Sequence, residues 1–212
     1  MCFLLDIITN IPIYELIFMR TSIPIKERDL PRKIIDIILL VFFFINIIFI
    51  CYLFDIEQLV VSGDDHIFID TFGKEAFDYP IWPPKFIVNL NHFVGQFDRA
   101  LYYRDPWWRA TIWIDVILFG PFYITAIIAF IKGFNWIRIP SIMWATMMLT
   151  NVTIIMFSEF TDPKYAGGKP LPILGANLLW ILMPILLIIR MILYPKTFAG
   201  GRFGVLGKDL GT

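Results

Sequence analysis

The chain reads as an all-α membrane protein: a four-transmembrane-helix bundle with an interfacial N-terminal segment and a long first loop. Three observations lead there. Of the 212 residues, 58% are hydrophobic and 17% aromatic, and the mean hydropathy is +0.72, far from the composition of water-soluble domains. Four apolar runs, about 34–54, 110–131, 139–158 and 171–193, are each long enough to cross a hydrocarbon core of roughly 30 Å. Two cysteines, Cys2 and Cys51, build no disulfide framework, so helix packing must hold the fold. Eighteen Lys and Arg balance eighteen Asp and Glu, which leaves no basic field to recruit nucleic acid.

Residues 1–33 form an N-terminal extension. Its first twenty, MCFLLDIITNIPIYELIFMR, lack the basic n-region and small-residue cleavage site of a signal peptide, and Asp6 and Glu15 oppose an Arg-rich mitochondrial presequence. An amphipathic segment lying in the membrane interface is the expectation. Lys26, Arg28, Arg32 and Lys33 precede the first span and place the N-terminus on the cytosolic or matrix side. Asp36 falls in the first turn of that span, where the positive end of the helix dipole favours a carboxylate. Asp55 closes the span, where the dipole disfavours an anion. It reads either as a solvated helix end or as a site residue.

The loop 55–109 carries nine acids against five bases, as expected for the side opposite the positive one. Tyr79, Trp82, Trp107 and Trp108 mark it as membrane-hugging, and its second half has apolar residues at helical spacing that suit an interfacial helix. His66 and His92 lie here without Cys, His or acid partners at metal-ligand spacing, so both read as surface residues and no metal site is expected.

The second span holds the most informative pair. Asp115 sits inside an apolar run, where a carboxylate costs on the order of 3 kcal/mol even on mild insertion scales, and so marks a candidate site. Pro121 cannot donate to the carbonyl of Ile117 and loosens the backbone six residues later. Together they suggest a polar cavity between helices. Lys132-Gly133 then stops the helix with a cation and a left-handed cap. Thr150, Asn151 and Thr153 are the polar set of the third span and read as interhelical glue. The fourth span carries Asn177, Trp180 and a central Pro184, with Arg190 placed to snorkel to headgroups. The four-helix domain thus covers 34–194. The Gly-rich tail 195–212 fails as a phosphate loop, because Arg202 and Asp209 stand where glycine and Ser or Thr are needed.

These residues carry a resemblance. Asp-Pro followed by an aromatic and basic stretch, an acid six residues before a proline (Asp115, Pro121) and the link Lys132, Gly133, Trp136, Arg138, Pro140 are similar to the EXPERA family. So are a Ser/Thr-containing third helix ending in acids and an aromatic before proline (Trp180, Pro184). This family of four-helix membrane proteins includes the sigma-two receptor, whose branch the chain resembles most, and the emopamil-binding sterol isomerase. The resemblance implies an intramembrane cavity holding sterols or cationic amphiphiles between Asp55 and Asp115, with Trp180 lining it. Asn177 and Thr150 complete the candidate set. Met147 stands where the receptor has histidine, and no histidine falls within any predicted span. Isomerase chemistry is therefore not expected, nor a catalytic residue, nor a cofactor beyond bound sterol or phospholipid.

Two functions follow as expectations. One is a non-catalytic membrane protein binding a sterol, lipid or cationic amphiphile, in the endoplasmic reticulum by resemblance. The alternative is a supernumerary structural subunit of a large membrane complex, for example a respiratory complex of the mitochondrial inner membrane, gripping protein partners with residues 1–30, the long loop and 196–212.

Overall fold

A computed structural model describes residues 25–165 and 170–194; the interfacial segment expected at 1–20 and the tail 195–212 lie outside them. Every regular element among the described residues is helical. Four helices are long and apolar enough to span a membrane: α1 (Leu30–Val60), α5 (Pro106–Lys132), α6 (Asn135–Thr161) and α7 (Pro170–Leu193). Between α1 and α5 the loop folds into α2 (Gly63–Phe72), α3 (Lys85–Gly95) and α4 (Arg99–Tyr103). The spans pack as a ring in which α1 meets α5 and α7, and α6 meets α5 and α7.

The core is aromatic. Phe43, Phe119, Tyr123, Phe130 and Trp144 are buried together with Leu39, Met148 and Leu187, while Ala126 and Ala129 give α5 the flat face that α1 approaches. Phe122 stacks on Trp144 with ring centroids 5.1 Å apart. Outside, Ile34, Ile38, Val41, Ile45 and Ile48 recur along one exposed stripe of α1, the face that lipid covers. The expected stop after α5 is present: Gly133 adopts φ 79°, ψ 38°, and its N–H donates to the Ala129 carbonyl.

Two charged residues depart from the sequence expectation. Asp36 is fully buried and accepts from Arg190 through Nε at 2.8 Å and Nη2 at 3.1 Å, and from Arg28 Nη1 at 2.9 Å. It balances guanidinium groups inside the bundle instead of a helix dipole, and Arg190 is held internally instead of snorkelling to headgroups. The physical reason is proximity: where α1 and α7 pack, each charge is the other's cheapest partner in a low dielectric.

The spans are not uniformly α-helical. Residues Asn46–Asp55 of α1 and Asp115–Phe119 of α5 are π-helical. Near the start of each wide stretch an asparagine amide adds a second donor to a carbonyl that the backbone also bonds: Asn46 Nδ2 donates to Phe42 O at 2.8 Å and Asn151 Nδ2 of α6 to Thr111 O at 3.3 Å, while the Asn46 and Asp115 N–H groups reach the same two oxygens. Pro121, which has no N–H to give, follows the second stretch, and Gly120 N–H reaches back to Asp115 O.

Candidate functional site

Asp55 is the last residue of the π segment in α1 and Asp115 the first of that in α5, so the two irregular stretches deliver their carboxyls to one place. Both side chains are buried and face each other within hydrogen-bonding reach. No donor of the described residues reaches Asp55 Oδ2 or Asp115 Oδ1. Two carboxyl groups in contact inside a bundle need a proton between them or a cation beside them.

The surroundings hold this pair in place. Gln58 Nε2 donates to Asp55 Oδ1 at 3.2 Å, and Trp108 Nε1 donates to Gln58 Oε1 at 2.7 Å, tying the end of α1 to the start of α5. Cys51 Sγ donates to the Asp115 carbonyl at 3.6 Å. Side chains of α1 press against the α5 backbone because residue 120 is glycine: a Cβ there would lie 2.8 Å from Tyr52 Oη and 2.9 Å from Cys51 Sγ. Deeper in the same interior, Tyr123 and Trp144 pack edge-on with centroids 5.7 Å apart, and neither Tyr123 Oη nor Trp144 Nε1 makes a well-formed hydrogen bond. An unsatisfied buried donor costs about 1–3 kcal/mol.

The other residues expected at the site are elsewhere. Trp180 Nε1 donates to Asn46 Oδ1 at 3.0 Å, at the opposite end of the π segment from Asp55. Asn177 Nδ2 turns back to Ile173 O of its own helix at 3.0 Å. Thr150 Oγ1 bonds Thr146 O at 2.9 Å and, with Ile114, Met147 and Asn151, lines an open groove of ≈ 250 Å³ between α5 and α6. Of the polar set on α6, only Asn151 acts as interhelical glue; Thr150 and Thr153 bond their own helix.

Sequence reasoning missed a second acid pair. Glu159, at the end of α6, is 2% exposed with neither carboxyl oxygen satisfied by a donor, and it faces Asp98, which caps α4 by accepting from Leu101 N–H at 3.0 Å. Burial pushes the Asp98 carboxyl above its ordinary value. The signal was present in the acid closing the third span, but its partner lies 61 residues away.

Both histidines also depart from expectation. His66 and His92 are buried, with ring centroids 5.1 Å apart. His92 Nε2 meets Asp70 Oδ1 at 2.9 Å, and His66 Nε2 lies 4.0 Å from Glu57 Oε1. Glu57 is gripped by Arg104, whose Nη2 reaches Oε2 at 2.8 Å, and Arg104 takes the left-handed conformation at φ 52° to do so. The loop helices fold over the end of α1 and enclose the imidazoles, which spacing along the chain does not reveal. Burial pushes the His66 imidazole below its ordinary value. No group of three or more His, Cys, Asp or Glu suited to a metal occurs among the described residues.

The comparisons agree with the resemblance. Residues 89–191 match the family EXPERA (EXPanded EBP superfamily). The sigma intracellular receptor 2 of Xenopus tropicalis is 28% identical over 128 residues, covering 55% of this chain and 74% of that protein. The human and Macaca fascicularis proteins of the same name are each 25% identical over 128 residues, covering 54% of this chain and 73% of theirs.

Proposed function

We propose that this chain, EXPERA in type across residues 89–191, is an integral membrane protein that binds a sterol, lipid or cationic amphiphile at the Asp55–Asp115 pair and performs no reaction on it. The observation that carries this reading is the pair itself: two facing carboxyls in the bundle interior, with no cationic side chain acting on them among the described residues. One proton shared between them leaves a single negative charge. A protonated amine neutralises that charge, or a hydroxyl donates to it, while Phe119, Tyr123 and Trp144 enclose the apolar remainder. Tyr123 Oη and Trp144 Nε1 supply further polar contacts.

The resemblance implies that the family's sterol isomerases move a proton with a histidine as well as acids, so an acid pair alone favours binding over turnover. The described spans contain no histidine, and His66 and His92 lie in the loop helices α2 and α3. The reading requires no cofactor. An endoplasmic reticulum location follows from the resemblance and is checked by fractionation against compartment markers. The receptors among the relatives lend no support to the assembly-subunit alternative.

The test is direct binding of a radiolabelled cationic amphiphile to purified protein, comparing wild type with Asp115→Asn and Asp55→Asn. Each variant is expected to weaken binding at least about tenfold while eluting as wild type on gel filtration. Unchanged affinity in both variants would overturn the reading.

A further inference from the structure

We infer that α3 is a monotopic helix sunk into the acyl boundary of the leaflet on the loop side, with Phe86, Leu90 and Phe93 in contact with lipid. The helix divides cleanly into two faces. Ile87, Val88, Asn91, His92 and Gly95 are buried on one. Phe86, 61% exposed, Leu90 and Phe93, 54% exposed, recur at i, i+4 and i+7 on the other. Such a stripe would be a liability in water. Beyond the enclosed His92, the sole ionisable side chain of α3 is Lys85 at its start, whose ammonium lies 4.6 Å from the Tyr79 ring.

Depth identifies the occupant. The inner face of α3 is tied to α1 at two levels, since Asn91 Nδ2 donates to Glu57 Oε2 near the end of the helix and to Phe54 O, on its flank, at 3.0 Å. Just before α3, Trp82 Nε1 donates to Tyr52 O at 3.1 Å, and the neighbouring Ile81 is fully exposed. Tyr52 lies about 12 Å below the end of α1 at Val60, eight residues at about 1.5 Å each. Tyr52 and Phe54 belong to the apolar run of α1, where Ile48 and Phe49 already face lipid. The loop therefore folds back beside the span to the level at which hydrocarbon begins. With its inner face on α1, the outer stripe of α3 continues the lipid-covered surface of the bundle. An amphipathic helix at the headgroup and acyl boundary buries its apolar face about 5–10 Å deep, which matches this placement. Trp82 at the same level fits the interfacial preference of its ring.

The experiment uses the full-length protein in phosphatidylcholine nanodiscs doped with a lipid carrying a diazirine in its acyl chain, followed by peptide mapping. Adducts on Phe86, Leu90 or Phe93 at a level within about threefold of those on Ile48 and Phe49 are the expected result. Hydroxyl-radical footprinting should in parallel leave these three side chains at least about fivefold less oxidised than the exposed Phe72 of α2. Absent adducts with α1 still labelled, together with strong oxidation of the stripe, would overturn the proposal in favour of a solvated loop. Absent adducts with protection in the native membrane that is lost on purification would overturn it in favour of a protein partner. The labelled α1 stripe is an internal control, and neither result depends on the acid pair binding a ligand.

Discussion

Arg190 and Asp36, 154 residues apart, form a two-point guanidinium–carboxylate fork inside the bundle, with Nε to Oδ1 at 2.8 Å and Nη2 to Oδ2 at 3.1 Å. The fork fastens the last span to the first. Removing one partner of a buried ion pair strands the other charge and costs roughly 3–5 kcal/mol. Arg190→Met is expected to destabilise the protein by about that amount. Asp36→Asn should cost at least as much, because Asp36 also serves Arg28. Equilibrium unfolding in mixed micelles checks both, and a loss under about 1 kcal/mol for either would count against the fork as a fastening.

Gly120 sets how closely the two π segments approach. Alanine there meets Tyr52 Oη and Cys51 Sγ at under 3 Å, so Gly120→Ala should destabilise by about 1–3 kcal/mol. Tyr52→Phe removes one of the two atoms in the way. The combined Gly120→Ala, Tyr52→Phe protein should lose less than the sum of the single losses, and strict additivity would show that the clash is relieved elsewhere.

His66 makes stability depend on pH. Burial, with Arg104 and His92 adding to it and Glu57 opposing it, holds the folded pKa below the ordinary 6.5. The unfolded chain then binds more protons than the folded one between that lowered value and 6.5, so stability rises with pH across this window and falls as the solution is acidified. A thermal-melt series from pH 7.5 to 5 should show the decline, and His66→Phe should flatten it. Asp98 acts with the opposite sign and in a different range: its raised pKa makes stability fall as pH climbs above the ordinary 3.8.

Trp180 tests the boundary of the proposed site. Its indole serves Asn46, so Trp180→Phe should cost about 0.5–1.5 kcal/mol of stability. Amphiphile affinity, measured on the same preparation, is expected to change less than about threefold. A tenfold loss of binding would instead extend the site along the whole π segment from Asp55 to Asn46.

Much was legible in the chain because its causes are local. Span length follows from the run of apolar side chains, the stop at Lys132-Gly133 from a cation and a residue free to adopt positive φ, and the candidacy of Asp115 from the expense of a carboxylate among apolar neighbours. Asp55 was ambiguous by itself, since a helix-terminal acid is equally at home in water.

What tertiary structure alone decided is pairing. The partner of Asp36 is Arg190, that of Glu159 is Asp98, and that of Trp180 is Asn46; no local pattern encodes those distances. Burial of His66 and His92 depends on loop helices folding back on α1, and the meeting of Asp55 with Asp115 depends on the π-helical parts of α1 and α5 packing together. Hydropathy measures each residue's affinity for lipid or water one at a time. Polar groups excluded from water are satisfied by one another, so their roles are set only when packing chooses their neighbours.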